Sequence, residues 1–90
     1  MSRKDEWRKI LDPEVQRWSA LSWQELVSRL QDIQCYEVKT DAKTYQVEVE
    51  LLENTDTYVH IMVAVDDGTL PASITPLTES FIREKRPSSG

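Results

Sequence analysis

The spacing of hydrophobic residues changes near residue 35. Before this point apolar side chains recur every three or four positions, which is typical of helices that bury one face. Trp7, Ile10 and Leu11 form one such group, and a second group runs through residues 26–33. After this point apolar and polar residues alternate in three segments, as in half-buried strands: residues 36–39, 45–51 and 59–65. The pattern predicts N-terminal helices followed by an antiparallel sheet.

Three helices are expected in the N-terminal third. The first begins close to the N-terminus and is interrupted where Asp12 precedes Pro13. Because aspartate is a preferred N-cap and proline is tolerated at the first helical position, we expect this pair to open a second short helix rather than to kink one long helix. Ser22 and Glu25 have the spacing of a capping box, which predicts a third helix over residues 23–33.

Turn-forming residues separate the three strands at positions 41–43 and 54–56, and a further turn follows at 66–68. For Val49 to share the core face with Ile61, the numbers of paired residues on the second and third strands must sum to an even value. The loop between these strands then has an odd number of residues. These features predict a meander whose buried face packs against the helices.

The segment after Gly68 leaves two alternatives open, a fourth strand or a short helix within residues 69–82. A strand over 70–75 would lie at a sheet edge or begin near Pro71, because proline cannot donate to the ladder. We expect residues 83–90 to be a disordered tail. The chain is therefore predicted to be a single α+β domain over residues 1–82, with N-terminal helices packed on one face of a three- to four-stranded antiparallel meander sheet. The expected core consists of Trp18, Leu26, Val27, Leu30, Val47, Val49, Ile61 and Val63.

Charge and length narrow the classes of function. A chain of 90 residues forms one small domain that encloses no deep catalytic cavity at low cost. Eleven basic residues against sixteen acidic ones give a net charge of −5, which disfavours binding to nucleic acid. No apolar run is long enough for a membrane span and no secretion signal is visible, so we expect a cytoplasmic protein without membrane attachment.

The outer face of the predicted sheet carries the candidate site. If Val49 and Ile61 face the helices, a set of polar and apolar residues shares the opposite face, and His60 lies directly or diagonally across from Glu50. This set consists of Glu48, Glu50, Tyr58, His60 and Met62. Because Met and aromatic side chains are enriched at interfaces, the set predicts a docking surface for a protein partner, and its acidity favours a basic one. Trp7, on a polar helix, is expected to be a second, exposed anchor for a partner.

Two functions from different classes follow from this face. The first is a small acidic adaptor or accessory module that binds a protein and exists as a monomer or weak homodimer. The alternative is a small ligand-binding protein or enzyme that uses His60 with Glu48 or Glu50, since a carboxylate beside an imidazole supports acid–base chemistry. The composition favours the first, and no enzymatic activity is expected.

Other reactive residues have simpler structural interpretations. Asp66 and Asp67 precede Gly68, which favours a turn rather than a metal site, because the further acidic ligands of a calcium loop are missing. Cys35 follows a helix C-terminus, so we expect a partly buried structural thiol. A single histidine leaves no choice of base for a nucleophilic triad. We therefore expect no cofactor, no metal and no catalytic residues.

Four short motifs follow one another over residues 21–82. They are Leu-Ser-Trp-x-Glu-Leu-Val at 21–27, Tyr-Gln-Val-Glu-Val at 45–49, Asp-Asp-Gly at 66–68 and Pro-Leu-Thr-x-x-Phe-Ile at 76–82. In this order they resemble a group of small bacterial proteins of unknown function, over about two thirds of the chain. The resemblance implies a bacterial, cytoplasmic α+β domain. It implies no activity, no ligand and no catalytic residues.

Overall fold

Two helices precede four strands in the computed structural model, which describes residues 3–41, 43–68 and 76–85. The elements are α1 (Arg3–Ser19), α2 (Trp23–Arg29), β1 (Gln34–Lys39), β2 (Thr44–Asn54), β3 (Tyr58–Asp66) and β4 (Leu77–Glu84). Neighbouring strands in the sequence are neighbours in the sheet, in the order β1-β2-β3-β4, and all three pairs are antiparallel. The α+β class and the meander predicted from the alternation are confirmed.

Helix α1 is a single element that runs through Pro13, so the prediction of two short helices is wrong. Proline in a helix interior removes one backbone hydrogen bond and costs about 3 kcal/mol. The buried stripe of the helix nevertheless continues across it: Trp7 and Leu11 lie before Pro13, and Glu14 and Trp18 follow at helical spacing. Because burial of this stripe continues on both sides, packing outweighs the local cost of the proline.

Helix α2 begins as its capping box predicts and ends four residues earlier than expected. The Ser22 hydroxyl accepts a hydrogen bond from the Glu25 amide at 3.2 Å. At the other end Leu30 is the C-cap, and the Gln34 side-chain amide donates to the Arg29 carbonyl at 3.0 Å. The Gln34 side chain therefore supplies the hydrogen bond that a further helical turn would have given to the Arg29 carbonyl. Ile33, the last apolar position of the predicted helix, is exposed.

The register between β2 and β3 follows the predicted rule through most of the pair. Val49 is opposite Val63 and Leu51 is opposite Ile61, so the paired numbers have an even sum. Beyond Leu51 a β-bulge shifts the register by one residue. Three residues, 55–57, lie between the bounds of the two strands, but the last register pair, Asn54 and Val59, has an odd sum and encloses four. The predicted parity therefore holds only before the bulge. The bulge itself has no signal in the alternation of apolar and polar residues.

Strand β4 settles the choice left open after Gly68 in favour of a fourth strand. The strand covers Leu77–Glu84, whereas the predicted segment 70–75 lies outside the described residues. Phe81 lies opposite the fully buried Ile61, which accounts for the extension of the sheet over this segment. Residues 83 and 84 belong to the strand and the Lys85 amide donates to the Thr57 carbonyl, so these three residues are not part of the predicted tail. Residues 86–90 of that prediction lie outside the described residues.

One face of the sheet packs against the helices. α1 lies against β3 and β4, and α2 contacts β3. The fully buried part of the core joins odd-numbered residues of β2 and β3 to Trp7 and Leu11 of α1 and to Leu26 of α2. The fully buried strand residues are Val47, Val49, Val59, Ile61, Val63 and Val65. Of the predicted core, Trp18 and Val27 are only half-buried and pack at its margin.

Two positions differ in burial from what the sequence predicts. Trp7 is only 2% exposed, so it is part of the core and not an exposed anchor for a partner. Its indole nitrogen has no hydrogen-bond partner among the described residues. Cys35, expected to be partly buried, is exposed because its position in β1 points it away from the helices.

Candidate partner-binding face of the sheet

The register places even-numbered residues of β2 and β3 on the face of the sheet opposite the helices. Glu48 lies opposite Ala64 and Glu50 opposite Met62, while His60 lies opposite Ile82 on the other side of β3. We call this surface the open face. Its described members are Cys35, Glu37, Lys39, Gln46, Glu48, Glu50, Glu53, Tyr58, His60, Met62, Ala64, Asp66, Thr78, Ser80, Ile82 and Glu84.

The predicted site residues divide cleanly between the open face and the core. The five residues predicted on the sheet, Glu48, Glu50, Tyr58, His60 and Met62, all belong to the open face. Trp7 lies on the opposite side of the sheet, in the core. The candidate site is therefore confined to the sheet, and no helix contributes to it among the residues described.

An apolar row crosses the open face at right angles to the strands. Ile82 on β4 is 57% exposed and lies opposite His60 on β3. Leu52, at the bulge of β2, is 45% exposed. Met62 is half-buried one pair further along β3. In an unshifted register Leu52 would lie opposite His60. The bulge puts Glu53 there instead and leaves Leu52 unpaired next to it, at the same end of the sheet as Ile82.

Carboxylates dominate the rest of the open face. Six of its residues are acidic, Glu37, Glu48, Glu50, Glu53, Asp66 and Glu84, and only Lys39 is basic. Within the described ranges Glu48, Glu50 and Glu84 form no ion pair and no side-chain hydrogen bond. These three charges have no counter-charge in the protein that the structure describes, so the face has a strongly negative potential.

The remaining polar groups of the open face pair with one another. The Tyr58 hydroxyl donates to Glu53 at 3.0 Å, and this hydrogen bond raises the pKa of Tyr58 above its ordinary value. The Gln46 amide donates to Glu37 at 3.2 Å. These two hydrogen bonds lie at opposite ends of the face. Glu48, Glu50 and Met62 lie between them.

His60 lies among carboxylates without contacting them. The bulge puts it opposite Glu53, and Glu50 lies diagonally across, as the register argument allows. Over residues 43–68 and 76–85 no hydrogen bond or ion pair involves the His60 ring. The structure therefore brings the histidine and the glutamates to one face but does not assemble them into an acid–base pair.

The acidic turn after β3 is a structural element, as predicted. Gly68 has a φ of 76°, a left-handed conformation that other residues rarely adopt. Its amide donates to the Asp66 side chain at 2.8 Å, and Asp67 lies 3.5 Å from the Lys43 ammonium. No group of three metal-ligating side chains occurs among the described residues.

A polar network between α1 and β1 has no counterpart in the predictions from sequence. Glu14 is 6% exposed and accepts hydrogen bonds from the Tyr36 hydroxyl at 2.5 Å and from Arg17 at 3.1 Å. The Trp18 indole nitrogen donates to the Tyr36 oxygen at 2.9 Å. Burial, followed by the hydrogen bond to Glu14, raises the pKa of Tyr36 to about 12. The only signal in the sequence is that Glu14 falls on the stripe of Trp7 and Leu11.

Comparison of the chain with protein-family models, with curated proteins and with solved structures finds no match. The resemblance to small bacterial proteins therefore stays a prediction. No helix of the described chain has the length and apolar character needed to cross a membrane. The functional assignment rests on the geometry and charge of the open face.

Proposed function

We propose that this chain is a small protein-interaction module whose open face binds a basic segment of a partner protein. The observation that carries the proposal is the exposed apolar row of Leu52 and Ile82 beside the unpaired carboxylates Glu48 and Glu50. An apolar centre with a charged surround is the arrangement of a protein interface, in which apolar side chains are buried and polar ones form the rim.

The apolar row supports a macromolecular partner rather than a small ligand. The row lies on an exposed sheet face, whereas small-molecule sites are concave and enclose most of their ligand. Ile82 and Leu52 are both exposed, and each would lose its contact with water beneath a partner. Burying such side chains gives about 25 cal/mol per Å² of apolar surface, part of which offsets the entropy lost on association.

The charge of the face supports a basic partner. Lysine and arginine side chains of the partner would supply the counter-charge that Glu48, Glu50 and Glu84 lack, and the field of the face would speed the encounter. A second copy of the same face would bring six carboxylates against six, which opposes face-to-face self-association. We therefore propose a monomer that docks a different, basic protein.

A cytoplasmic location and a non-enzymatic role belong to the same proposal. The lack of contact between His60 and its neighbouring glutamates supports the non-enzymatic role. We also propose kinship with the small bacterial proteins that the sequence resembles. The Leu-Ser-Trp and Pro-Leu-Thr motifs that carry this resemblance lie at the start of α2 and of β4, the positions where they help to define the fold.

The test is photo-crosslinking capture from a lysate of the source organism. A photoreactive amino acid replaces Ser80 on the open face, and a control protein carries it at Gln16, an exposed position of α1. Capture is repeated with Glu48→Lys and Glu50→Lys combined. The matched control is Asp32→Lys combined with Asp41→Lys, which changes the net charge equally at exposed positions off the face.

We expect a specific protein to be crosslinked from position 80, lost in the Glu48, Glu50 variant and retained in the control variant. The purified partner should then bind with an affinity that falls as salt is raised, since the attraction is electrostatic. Equal capture from positions 80 and 16, or equal loss in both charge variants, contradicts the proposal. Enrichment of a small molecule that depends on His60 would favour the ligand-binding alternative.

A further inference from the structure

Strand β1 forms one edge of the sheet. In the strand order β1-β2-β3-β4 it has a described neighbour on one side only, β2. About half of the backbone N–H and C=O groups of such a strand point away from its neighbour and are available to another extended chain. Within the described ranges no strand pairs with the outer side of β1, so its backbone groups there are open to a partner.

A cleft of about 450 Å³ opens beside β1 on the helix side. Its strand wall is formed by Gln34, Tyr36 and Val38, the residues of β1 that alternate toward the helices, together with Glu37 at the edge. Its helix wall is formed by Arg17, Trp18 and Arg29. Because side chains alternate along a strand, every second residue of a chain added to this edge would point into this cleft, at a spacing of about 7 Å.

Two arginines line the cleft, with one carboxylate, that of Glu37, at its edge. The side chains of Arg17 and Arg29 are 70% and 58% exposed. Arg17 donates to Glu14 through one nitrogen, and Arg29 lies 3.7 Å from Glu25, beyond hydrogen-bond distance. A guanidinium has five N–H donors, so both retain donors for a further carboxylate, which arginine binds in a bidentate manner.

Basic residues also line a cleft at the other end of β1. A second cleft of about 390 Å³ is lined by Lys9, Ile10, Lys43 and Tyr45, with Glu6 and Thr40. The Lys43 ammonium lies 6.0 Å from the centre of the Tyr45 ring and 3.5 Å from the Asp67 carboxylate. The trough between α1 and β1 therefore has basic residues at both ends, whereas the open face on the other side of the sheet is acidic.

The walls of the first cleft are held in place before anything binds. Trp18 donates to Tyr36, and Tyr36 donates to the buried Glu14, so one hydrogen-bonded chain ties α1 to β1. A site whose walls do not move on binding avoids the entropy cost of ordering them. This gives the Glu14, Trp18 and Tyr36 network a purpose beyond stability.

We propose that the edge of β1 binds an extended acidic segment of a partner protein as an additional strand. The backbone of the segment pairs with β1, which provides affinity, and its acidic side chains on the helix side meet Arg17 and Arg29, which provides specificity. The site is separate from the open face and has the opposite charge preference. Its success or failure in experiment is independent of the proposed function.

The test uses a synthetic seven-residue peptide in which glutamate alternates with valine, labelled with fluorescein. One control peptide replaces each glutamate with lysine, and another has methylated backbone nitrogens at alternate positions, which cannot donate to a strand. Binding to the full chain is measured by fluorescence anisotropy at low salt, and the contact surface is mapped by amide chemical shifts in NMR spectra.

We expect the acidic peptide to bind at least about tenfold more tightly than either control peptide, with shifts concentrated in β1 and at Trp18. Arg17→Gln combined with Arg29→Gln should weaken binding of the acidic peptide about tenfold. The control variant, Arg8→Gln combined with Arg83→Gln, removes the same charge away from the cleft and should change the affinity far less. Since Arg17 also neutralises the buried Glu14, Arg29→Gln alone provides a variant that leaves the network intact.

Three results overturn the proposal. The first is binding that does not distinguish the acidic peptide from the basic one. The second is a set of chemical-shift changes centred on Glu48 and Glu50 rather than on β1. The third is no binding of the acidic peptide at concentrations of about 1 mM, since an edge pairing that weak is not a recognition site.

Discussion

The hydroxyl of Tyr36 on β1 donates a 2.5 Å hydrogen bond to the buried carboxylate of Glu14 on α1. This contact joins the first helix to the edge of the sheet, 22 residues apart in sequence. Without it Glu14 would have only the exposed Arg17 as a partner. The pair therefore sets the distance between α1 and β1 and shapes the cleft between them.

Tyr36→Phe should lower the free energy of unfolding by about 1–3 kcal/mol, because it removes a donor from a buried carboxylate and the acceptor of the Trp18 indole. Urea denaturation followed by circular dichroism measures the change. Tyr58→Phe is the matched control, since this phenol also donates to a glutamate but near the exposed end of the sheet. Its effect should be clearly smaller than that of Tyr36→Phe. Equal effects of the two substitutions would contradict the structural role of the Glu14 pair.

The same phenol makes stability depend on pH in the alkaline range. The folded-state pKa of Tyr36 is raised from 10.0 to about 12, so the folded protein holds the phenolic proton more tightly than the unfolded chain. The resulting stability is complete below pH 10 and is lost as the pH rises toward 12. Denaturation curves at several alkaline pH values should show a steeper loss for the wild type than for Tyr36→Phe. Parallel losses in the two proteins would rule out the linkage.

Trp7→Ala should destabilise the protein by about 3–5 kcal/mol, because it removes the largest side chain of the core and leaves a cavity. Trp7→Phe should cost much less, since it keeps most of the apolar volume and removes an indole N–H that has no described partner. Thermal unfolding measures both. Trp23→Ala is the comparison, a half-buried ring that lies 5.2 Å from the Lys85 ammonium, and its effect should be smaller. If the Trp7→Ala protein folds with unchanged stability, Trp7 is not a core residue.

Pro13→Ala should stabilise the chain by roughly 1–3 kcal/mol, since alanine restores a helix hydrogen bond at an exposed position inside α1. The gain is reduced by the greater freedom of the unfolded chain without proline. Gln16→Ala, also exposed on α1, should change stability by no more than about 0.5 kcal/mol. A loss of stability in Pro13→Ala would mean that α1 ends near residue 12, as the sequence alone predicts.

Val49→Asp and Glu48→Ala test the register of the sheet at neighbouring positions. Val49 is fully buried, so an aspartate there places an unpaired charge in the core and should unfold the domain. Glu48 belongs to the open face, and its replacement should cost well under about 1 kcal/mol. Amide NMR spectra distinguish the outcomes directly. A well-dispersed spectrum for Val49→Asp would show that the faces have been assigned the wrong way round.

Local chemistry was enough to predict the fold class, the first three strands and the faces of the sheet. Alternation in β2 and β3 identified which residues point to the core, because side chains on a strand point to opposite faces in turn. The Ser22 and Glu25 spacing located the start of α2, because capping involves groups only three residues apart. The α+β class, the meander and the placement of the five predicted site residues on one face follow from these two signals.

Predictions failed where a distant contact outweighed a local preference. Pro13 ends helices by its own chemistry, but the burial of Trp7 and Leu11 in the shared core keeps α1 continuous. The same packing removes Trp7 from the surface that its polar neighbours in sequence suggested. The sequence of α1 indicates its buried side only weakly, since a narrow buried stripe leaves most of the helix in water.

The order of residues is enough to tell which side of each strand is apolar, because that property belongs to each strand alone. How the strands and helices meet depends on contacts between distant parts of the chain. Examples are the bulge that puts Glu53 opposite His60, the pairing of Phe81 with Ile61, and the hydrogen bond from Tyr36 to Glu14. Each of these contacts joins groups whose distance from one another depends on how the whole core packs. The spacing of residues along the chain does not encode that distance.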